Sequence, residues 1–308
     1  MLEKVVVYRR VDIKASYAGI DATLLQPRPV VKWVGGKRQL VNGLKGLLPP
    51  HYKRFFEPFV GGGALTFALR PEQPYISDLN GELINLYTVI RDDVKSLIEH
   101  LYWDDLIYKI NPSNEDYYRM RNLDRAPDFA SRSPVSRAAR FILVNKTCFN
   151  GLYRVNTEGH CNAAFGYYSN PTILDAHNLL ACSKALRNAV IRHTDFSEVV
   201  NHAHKGDLVY FDPPYVPVSP TASFTSYTKG GFGEEKQHKL RRVCDQLDKN
   251  GVYWMLSNSH TDFIMNLYKD YYIHVVQASR AINCKAAGRG KVKEVVVTNY
   301  NVSTGGLT

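Results

Sequence analysis

Leu208-Val-Tyr-Phe-Asp-Pro-Pro-Tyr215 is the stretch on which the reading of this chain turns. An apolar run of strand character delivers an acid, Asp212, to its carboxyl end, the end at which open α/β sheets bind their ligands. Two prolines follow. Proline has no N–H to donate and holds the backbone in a fixed extended or turn geometry. Such a loop aims the Asp212 carboxylate and the Pro213 carbonyl at one point, both as acceptors. Paired acceptors suit a target that carries an NH₂ group, and Tyr215 adds a flat face on which a planar base can stack. The plainer alternative is an ordinary turn at a strand end.

Outward from this segment, short β-branched or aromatic runs alternate with helical stretches at both ends of the chain. That is the pattern of a mostly parallel sheet with helices on its faces. The runs predict strands at Arg54–Glu57, Tyr75–Ser77, Val190–His193, Leu208–Phe211, Val252–Leu256, Tyr272–Gln277 and Glu294–Asn299, the last two as an antiparallel hairpin at the sheet edge. From about Leu83 to Arg187 helical periodicity takes over. Arg137–Val144 sets apolar residues and arginines on separate sides of a helix. Between Arg119 and Arg154 there are eight Lys/Arg and two acidic residues. A solvated helical face is the bland reading of such a run; a nucleic-acid-facing insertion is preferred, because the run ends in a polar, aromatic-rich loop.

Two further segments belong with the first. Phe55-Phe-Glu-Pro-Phe-Val-Gly-Gly-Gly-Ala64 is followed by Asp78 after the next short strand. Strand, glycine turn and helix, with a carboxylate about twenty residues on, is the nucleoside-binding arrangement of a doubly wound sheet. It is not G-x-G-x-x-G, which tilts the ligand away from NAD. Val31-Lys-Trp-Val-Gly-Gly-Lys37 precedes a predicted helix, and a glycine pair with a lysine at a helix start suits a carboxylate. Trp33 reads equally well as a core residue.

The 308 residues carry a formal net charge of +10, with 44% hydrophobic and 22% charged residues. These values fit a globular protein with a real core and favour a polyanionic partner. Five scattered cysteines, with no C-x-x-C pair, argue against a zinc module and a disulfide framework, and point to the cytoplasm. No apolar run has the length of a membrane span. Residues 1–28 lack a signal-peptide core and read as an appended arm.

With these segments in hand, the chain resembles the DNA adenine-N6 methyltransferases of the Dam type (D12 class, alpha group), including those of GATC restriction–modification systems. The resemblance covers roughly Pro29 to Tyr300. It rests on K-W-x-G-G-K, E-P-F-V-G-G-G, a helical insertion and D-P-P-Y in that order, with Ser77-Asp-Leu-Asn80, Cys148-Phe-Asn-Gly-Leu-Tyr-Arg154 and Ser219-Pro-Thr-Ala-Ser-Phe-Thr-Ser-Tyr227 as further shared pieces. It implies an α/β fold: a doubly wound, Rossmann-like methyltransferase sheet with an inserted helical target-recognition domain. An S-adenosylmethionine-binding catalytic domain would comprise residues 29–82 and 188–308, and the insertion residues 83–187.

The same resemblance implies roles. Trp33, Lys37, Phe59, Gly61 and Asp78 would hold S-adenosylmethionine, with Asp195 and Phe196 beside its adenine. Asp212 would also border the cofactor and, with Pro213 and Tyr215, form the catalytic pocket. Phe149 would enter the duplex; Asn150, Leu152 and Arg154 would face base pairs; Lys32 would reach the outer pair and Tyr168 would touch DNA. The physics is consistent: adenine N6 is out of reach inside a stacked duplex, so the base must be extruded, and arginine reads guanine O6 and N7. A phosphate contact is the alternative for Arg154. The implied partners are double-stranded DNA and a cognate restriction endonuclease, with the enzyme a cytoplasmic monomer and no metal.

The chain departs from the pattern at Cys161-Asn-Ala-Ala-Phe-Gly-Tyr-Tyr168, where the family usually has F-N-V-P-F-G-R-Y. Ala164 replaces a proline that packs on a thymine methyl, and Tyr167 replaces an arginine, which bears on GATC specificity and not on catalysis. Arg280–Lys293, with five Lys/Arg and no acid, suits a phosphate grip. Cytosine-C5 methylation needs a nucleophilic cysteine, normally presented after a proline, and the chain has no Pro-Cys step. Cytosine-N4 methylation shares the amino-group pocket but more often has serine at position 212. A catalytically silent DNA-binding relative has no chemical reason to retain Asp212, both prolines and Tyr215.

Overall fold

Seven strands pair into one sheet: β1 (Phe55–Glu57), β2 (Pro74–Asp78), β3 (Val190–His193), β4 (Leu208–Phe211), β5 (Tyr253–Ser259), β6 (Tyr272–Ser279) and β7 (Lys291–Thr298). The computed structural model describes residues 25–37, 39–110, 113–217, 231–279 and 291–302. All seven strands expected from the sequence are there, their ends displaced by no more than three residues. The arm before residue 25, the Ser219–Tyr227 piece and most of Arg280–Lys293 lie outside the described residues.

The strand order is β3-β2-β1-β4-β5-β7-β6. β1 to β5 run parallel, and β7 is antiparallel to both β5 and β6. The chain reverses direction across the sheet between β1 and β4, and these two strands are buried along their whole length. A reversal of this kind opens a crevice at the carboxyl ends of the two strands. The glycine turn follows β1 and Asp212 follows β4, so the topology alone brings them side by side. Because β7 is antiparallel, its amino-terminal end also reaches this edge, where Glu294 stands opposite Ser259 of β5.

Helices α1 (Val41–Gly46) and α2 (Ala64–Leu69) flank β1, and α3 (Gly81–Asp92), α4 (Val94–Ile110), α5 (Asn114–Asn122), α6 (Pro134–Thr147) and α7 (Ala176–Leu186) lie between β2 and β3. α8 (Glu234–Lys249) and α9 (Asp262–Leu267) follow β4 and β5. The side chain of Asn80 caps α3 by accepting the Leu83 N–H at 3.0 Å, as an N-cap asparagine does. Ile76 of β2, Val60 of the glycine turn and residues of α3, α4, α6 and α7 share one apolar core. The helical segment is thus built onto the sheet. Among the described residues, no helix is long and apolar enough to cross a membrane.

α6 departs from its expected two-faced character. From Ala138 to Asn145 every residue is buried. Arg140 is 2% exposed, donates to the Met120 carbonyl at 2.8 Å and pairs with Asp124 at 2.9 Å. Much of the expected basic run is already paired: Arg125 with Asp124 and Arg137 with Glu82 in partly buried pairs, and Arg119 with Asp116 and Arg132 with Asp128 at the surface. Arg121 donates to the Ala163 carbonyl at 3.1 Å, and burial of Lys146 pulls its pKa down. Charge density along a sequence does not reveal which charges are already paired. Arg154 is exposed, and its guanidinium has no partner among the described residues.

Breaking a buried ion pair by truncation costs about 3–5 kcal/mol because the remaining partner loses its compensation. Arg140→Ala is expected to lower the urea midpoint accordingly, less than the full amount because Arg125 also reaches Asp124, whereas Arg119→Ala leaves the midpoint nearly unchanged. Equal midpoints for the two variants would contradict the burial argument.

Candidate active site

The turn after β1 is shaped by left-handed glycines, Gly61 with φ +45° and Gly63 with φ +67°. A side chain at Gly61 would collide with Trp33, whose Cδ1 lies 2.6 Å from where a Cβ would stand. Asp78, at the end of β2, accepts the Gly61 N–H at 3.1 Å and the Asn80 N–H at 2.9 Å. One carboxylate thus fixes the glycine turn and the start of α3. Burial raises the Asp78 pKa against the pull of these hydrogen bonds. Phe59 stacks on Phe196 at 5.1 Å between ring centroids, with Phe232 edge-on to Phe59 at 5.6 Å. Asp195 accepts from Ser197 and pairs with Lys239 at 2.8 Å. Burial pushes the Asp195 carboxyl up, but these donors outweigh it and hold its pKa below the usual range.

Asp212 leaves β4 into a loop held from three sides. Gln237 of α8 donates to the Pro214 carbonyl at 3.2 Å, Asn258 of β5 accepts the Val216 N–H at 3.3 Å, and Asn258 donates to Gln237 at 3.2 Å. Gln237 and Asn258 are wholly buried. The Tyr215 hydroxyl donates to Glu294 at 2.8 Å. Among the described residues, no hydrogen bond ends on the Pro213 carbonyl. The sequence reading named Asp212, Pro213 and Tyr215 as its expected pocket and did not name Gln237, Asn258 and Glu294, which hold the same loop. These come from three distant elements and form no local motif.

Lys37 occupies an unexpected place. Its ammonium, 5% exposed, lies 2.9 Å from Asp212 Oδ1 and 4.4 Å from the centre of the Tyr215 ring. This ion pair is the one polar contact of Asp212 Oδ1 among the described residues. Burial pushes the Asp212 carboxyl up to about 6, against the lowering influence of Lys37. The motif that carries Lys37 also carries Trp33 onto Gly61, so the glycine turn and the acidic loop share one end of the sheet. Trp33 in turn stacks on Phe141 of α6 and on Tyr153, both at 6.3 Å.

The residues expected at DNA form a second group. Asn145 of α6 accepts the Lys32 N–H at 2.9 Å and donates to the Lys32 carbonyl at 2.8 Å and the Gly151 carbonyl at 3.3 Å. This clamps the segment before Trp33 to the turn containing Phe149 and Asn150. Cys148 bridges Phe165, and Val155 bridges Cys161. The loop is therefore a ribbon closed by Asn156–His160, which helical periodicity had concealed. Phe149 is 55% exposed, and Tyr167 is 75% exposed at φ +52°. Asn150 takes a left-handed φ of 57°, Leu152 is half-buried beside it, and Lys32 Nζ lies 5.8 Å from the Tyr168 ring. Lys32, Phe149, Arg154 and Tyr167 stand exposed on this ribbon and the segment clamped to it.

The strand order, the reversal between β1 and β4 and the acidic proline loop define a Rossmann-like methyltransferase. Residues 33–282 match the model of D12 class N6 adenine-specific DNA methyltransferases. The chain is 45% identical over 275 residues to the type II methyltransferase M1.LlaDCHI of Lactococcus lactis subsp. cremoris, covering 89% of this chain and 95% of that protein. It is 40% identical over 290 residues to the type II methyltransferase M.MjaIII of Methanocaldococcus jannaschii, covering 90% and 100%. It is 32% identical over 273 residues to the DNA adenine methylase of Serratia marcescens, covering 87% and 97%. The chain belongs to the D12 class N6 adenine-specific DNA methyltransferase family, and it is an adenine-specific DNA methyltransferase.

Glu57, at the end of β1, is buried and accepts the Thr66 N–H at 3.1 Å. Burial pushes its pKa from 4.5 up to about 8. Folded Glu57 holds its proton more tightly than the unfolded chain does, so its contribution to stability is complete below pH 4.5 and is lost as the pH rises through about 8. Glu57→Gln cannot lose a proton. Its melting midpoint is expected to gain on that of the parent protein as the pH is raised across this window, and parallel curves would contradict the assignment.

Proposed function

We propose that the chain transfers the methyl group of S-adenosylmethionine to N6 of an adenine flipped out of double-stranded DNA, at GATC, with the base held by Asp212, Pro213 and Tyr215. The observation that carries this reading is the Asp212 carboxylate at the end of β4, balanced by Lys37 at 2.9 Å and followed by a proline carbonyl that receives no hydrogen bond among the described residues, at the crevice where the sheet reverses.

The residues present fit the cofactor. Asp78 has both oxygens anchored by backbone N–H groups and retains lone pairs for ribose hydroxyls. Phe59 and Phe196 supply an apolar wall for an adenine, with Asp195 beside them. Gly35 and Gly36 are exposed ahead of Lys37 and suit the methionine carboxylate, while Trp33 and Gly61 shape the turn. S-adenosylmethionine, when bound, supplies an electrophilic sulfonium methyl group. Since that electrophile is already strong, the protein has to position and stabilise more than to activate.

Asp212 accepts one N6 proton and the Pro213 carbonyl the other, which orients the nitrogen and favours its lone-pair character. Tyr215 stacks on the base. As the nitrogen gains positive charge, the Asp212 carboxylate lies where it counteracts that charge. Phe149, exposed at the base of the ribbon, fills the gap left in the duplex. Arg154 is free to read guanine, with Asn150 and Leu152 beside it and with Lys32 and Tyr168 at the flank. Ala164 removes an apolar contact and Tyr167 a cationic one relative to the family pattern, so GATC rests on the contacts of Arg154 and its neighbours. M1.LlaDCHI and M.MjaIII are named type II methyltransferases, and a cognate restriction endonuclease is proposed for this chain as well.

Methylating a plasmid of known sequence and mapping the modified adenines tests base, atom and site together; adenines modified outside GATC would refute the site. Asp212→Ala is expected to abolish methyl transfer while DNA binding persists, and transfer at the parent rate would refute the catalytic assignment. Arg154→Ala is expected to relax sequence choice, since a good base contact is worth about 1–3 kcal/mol. A uniform loss of binding on every sequence would make Arg154 a phosphate contact instead.

A further inference from the structure

Glu294 lies in no motif of the family resemblance, yet the fold delivers it to the catalytic loop. β7 runs against the other strands of the core, so its amino-terminal end arrives where the parallel strands end. There Glu294, half-buried, accepts the Tyr215 hydroxyl at 2.8 Å. On the opposite side of the loop, Gln237 and Asn258 hold Pro214 and Val216. The backbone of the loop is therefore anchored by α8 and β5, while the ring of Tyr215 is anchored by β7.

We propose that Glu294 is a positioning residue for methyl transfer: its carboxylate holds the Tyr215 hydroxyl and thereby fixes the ring on which the target adenine stacks. This rests on the reading of Tyr215 as the stacking platform. A tyrosine ring on a loop turns about two side-chain torsions, and a hydrogen bond at the far end of the ring removes that freedom. The platform is then set before the base arrives, as efficient positioning requires.

Glu294 also acts on Asp212 by charge. The titratable groups facing Asp212 are Lys37 from the glycine–lysine segment, Glu57 of β1, Glu294 of β7, and Tyr210 and Tyr215 of its own strand and loop. Of these, Lys37 favours the ionised carboxylate and Glu294 opposes it. Replacing Glu294 by the neutral amide keeps an acceptor for Tyr215 but removes a negative charge near Asp212. A residue that only supported the fold would show the first effect and not the second.

The test is a double-mutant cycle on the purified enzyme with duplex DNA, read by single-turnover methylation, by fluorescence of 2-aminopurine at the target position and by the pH profile of kcat/KM. Glu294→Ala and Tyr215→Phe are each expected to slow methylation about tenfold, the worth of a hydrogen bond to a charged group. The double variant is expected to be no slower than either alone, with unchanged melting midpoints throughout. Glu294→Gln should recover most of the plateau rate, and the acid limb of its kcat/KM profile should move to lower pH than the parent's. Multiplying losses in the double variant, or an unmoved acid limb in Glu294→Gln, would overturn the proposal. Asp212→Ala run alongside separates the two levels. If it stays active, the pocket reading fails; if it is dead and the cycle is additive, only the role of Glu294 fails.

Discussion

A carboxylate placed at the buried end of a central strand must be compensated, and the rest of this site is arranged around that requirement at Asp212. Desolvation disfavours the charge, and the cation that answers it comes from a segment far away in sequence. Lys37 reaches Asp212 only because Trp33, four residues earlier, is seated on Gly61. Gly61 accepts that seat only because it has no side chain and takes a left-handed φ. The glycine turn is in turn held by Asp78. One electrostatic demand thus links the ends of β1, β2 and β4 through a short chain of specific contacts.

The sheet was largely legible in the sequence because its strands are short, apolar and β-branched or aromatic, and are separated by turn residues. Even the antiparallel edge could be read, from the spacing around Ser279–Lys293. The acidic proline loop and the glycine turn were legible for a related reason, since each directly follows a strand end. The supports were not legible. Gln237, Asn258 and Glu294 are polar residues within ordinary helix or strand patterns, and only tertiary pairing brings them to one loop.

The helical region shows the converse. Its basic run read as an exposed surface, yet Arg140 is buried and several neighbours are paired within the protein. Polar side chains that stabilise helix packing and those that face a ligand have the same composition in sequence. Likewise the ribbon between Cys148 and Phe165 has two isolated bridges and no run of alternating residues, so it left no strand pattern to detect. Local periodicity reports repeated structure, and this surface is made of unrepeated contacts.

The clamp formed by Asn145 bears on how such proteins diversify. It ties the backbone of Lys32 to the carbonyl of Gly151, while Trp33 rests between the sheet and the ring of Tyr153. The ribbon and the glycine turn therefore share a spine only a few residues long. A graft that exchanged the helices and ribbon between two relatives while leaving residues 28–37 behind would sever that spine. On the role proposed for the ribbon, new specificities should arise through substitutions on its outer face, or through transplants that carry the early lysine–tryptophan segment with them.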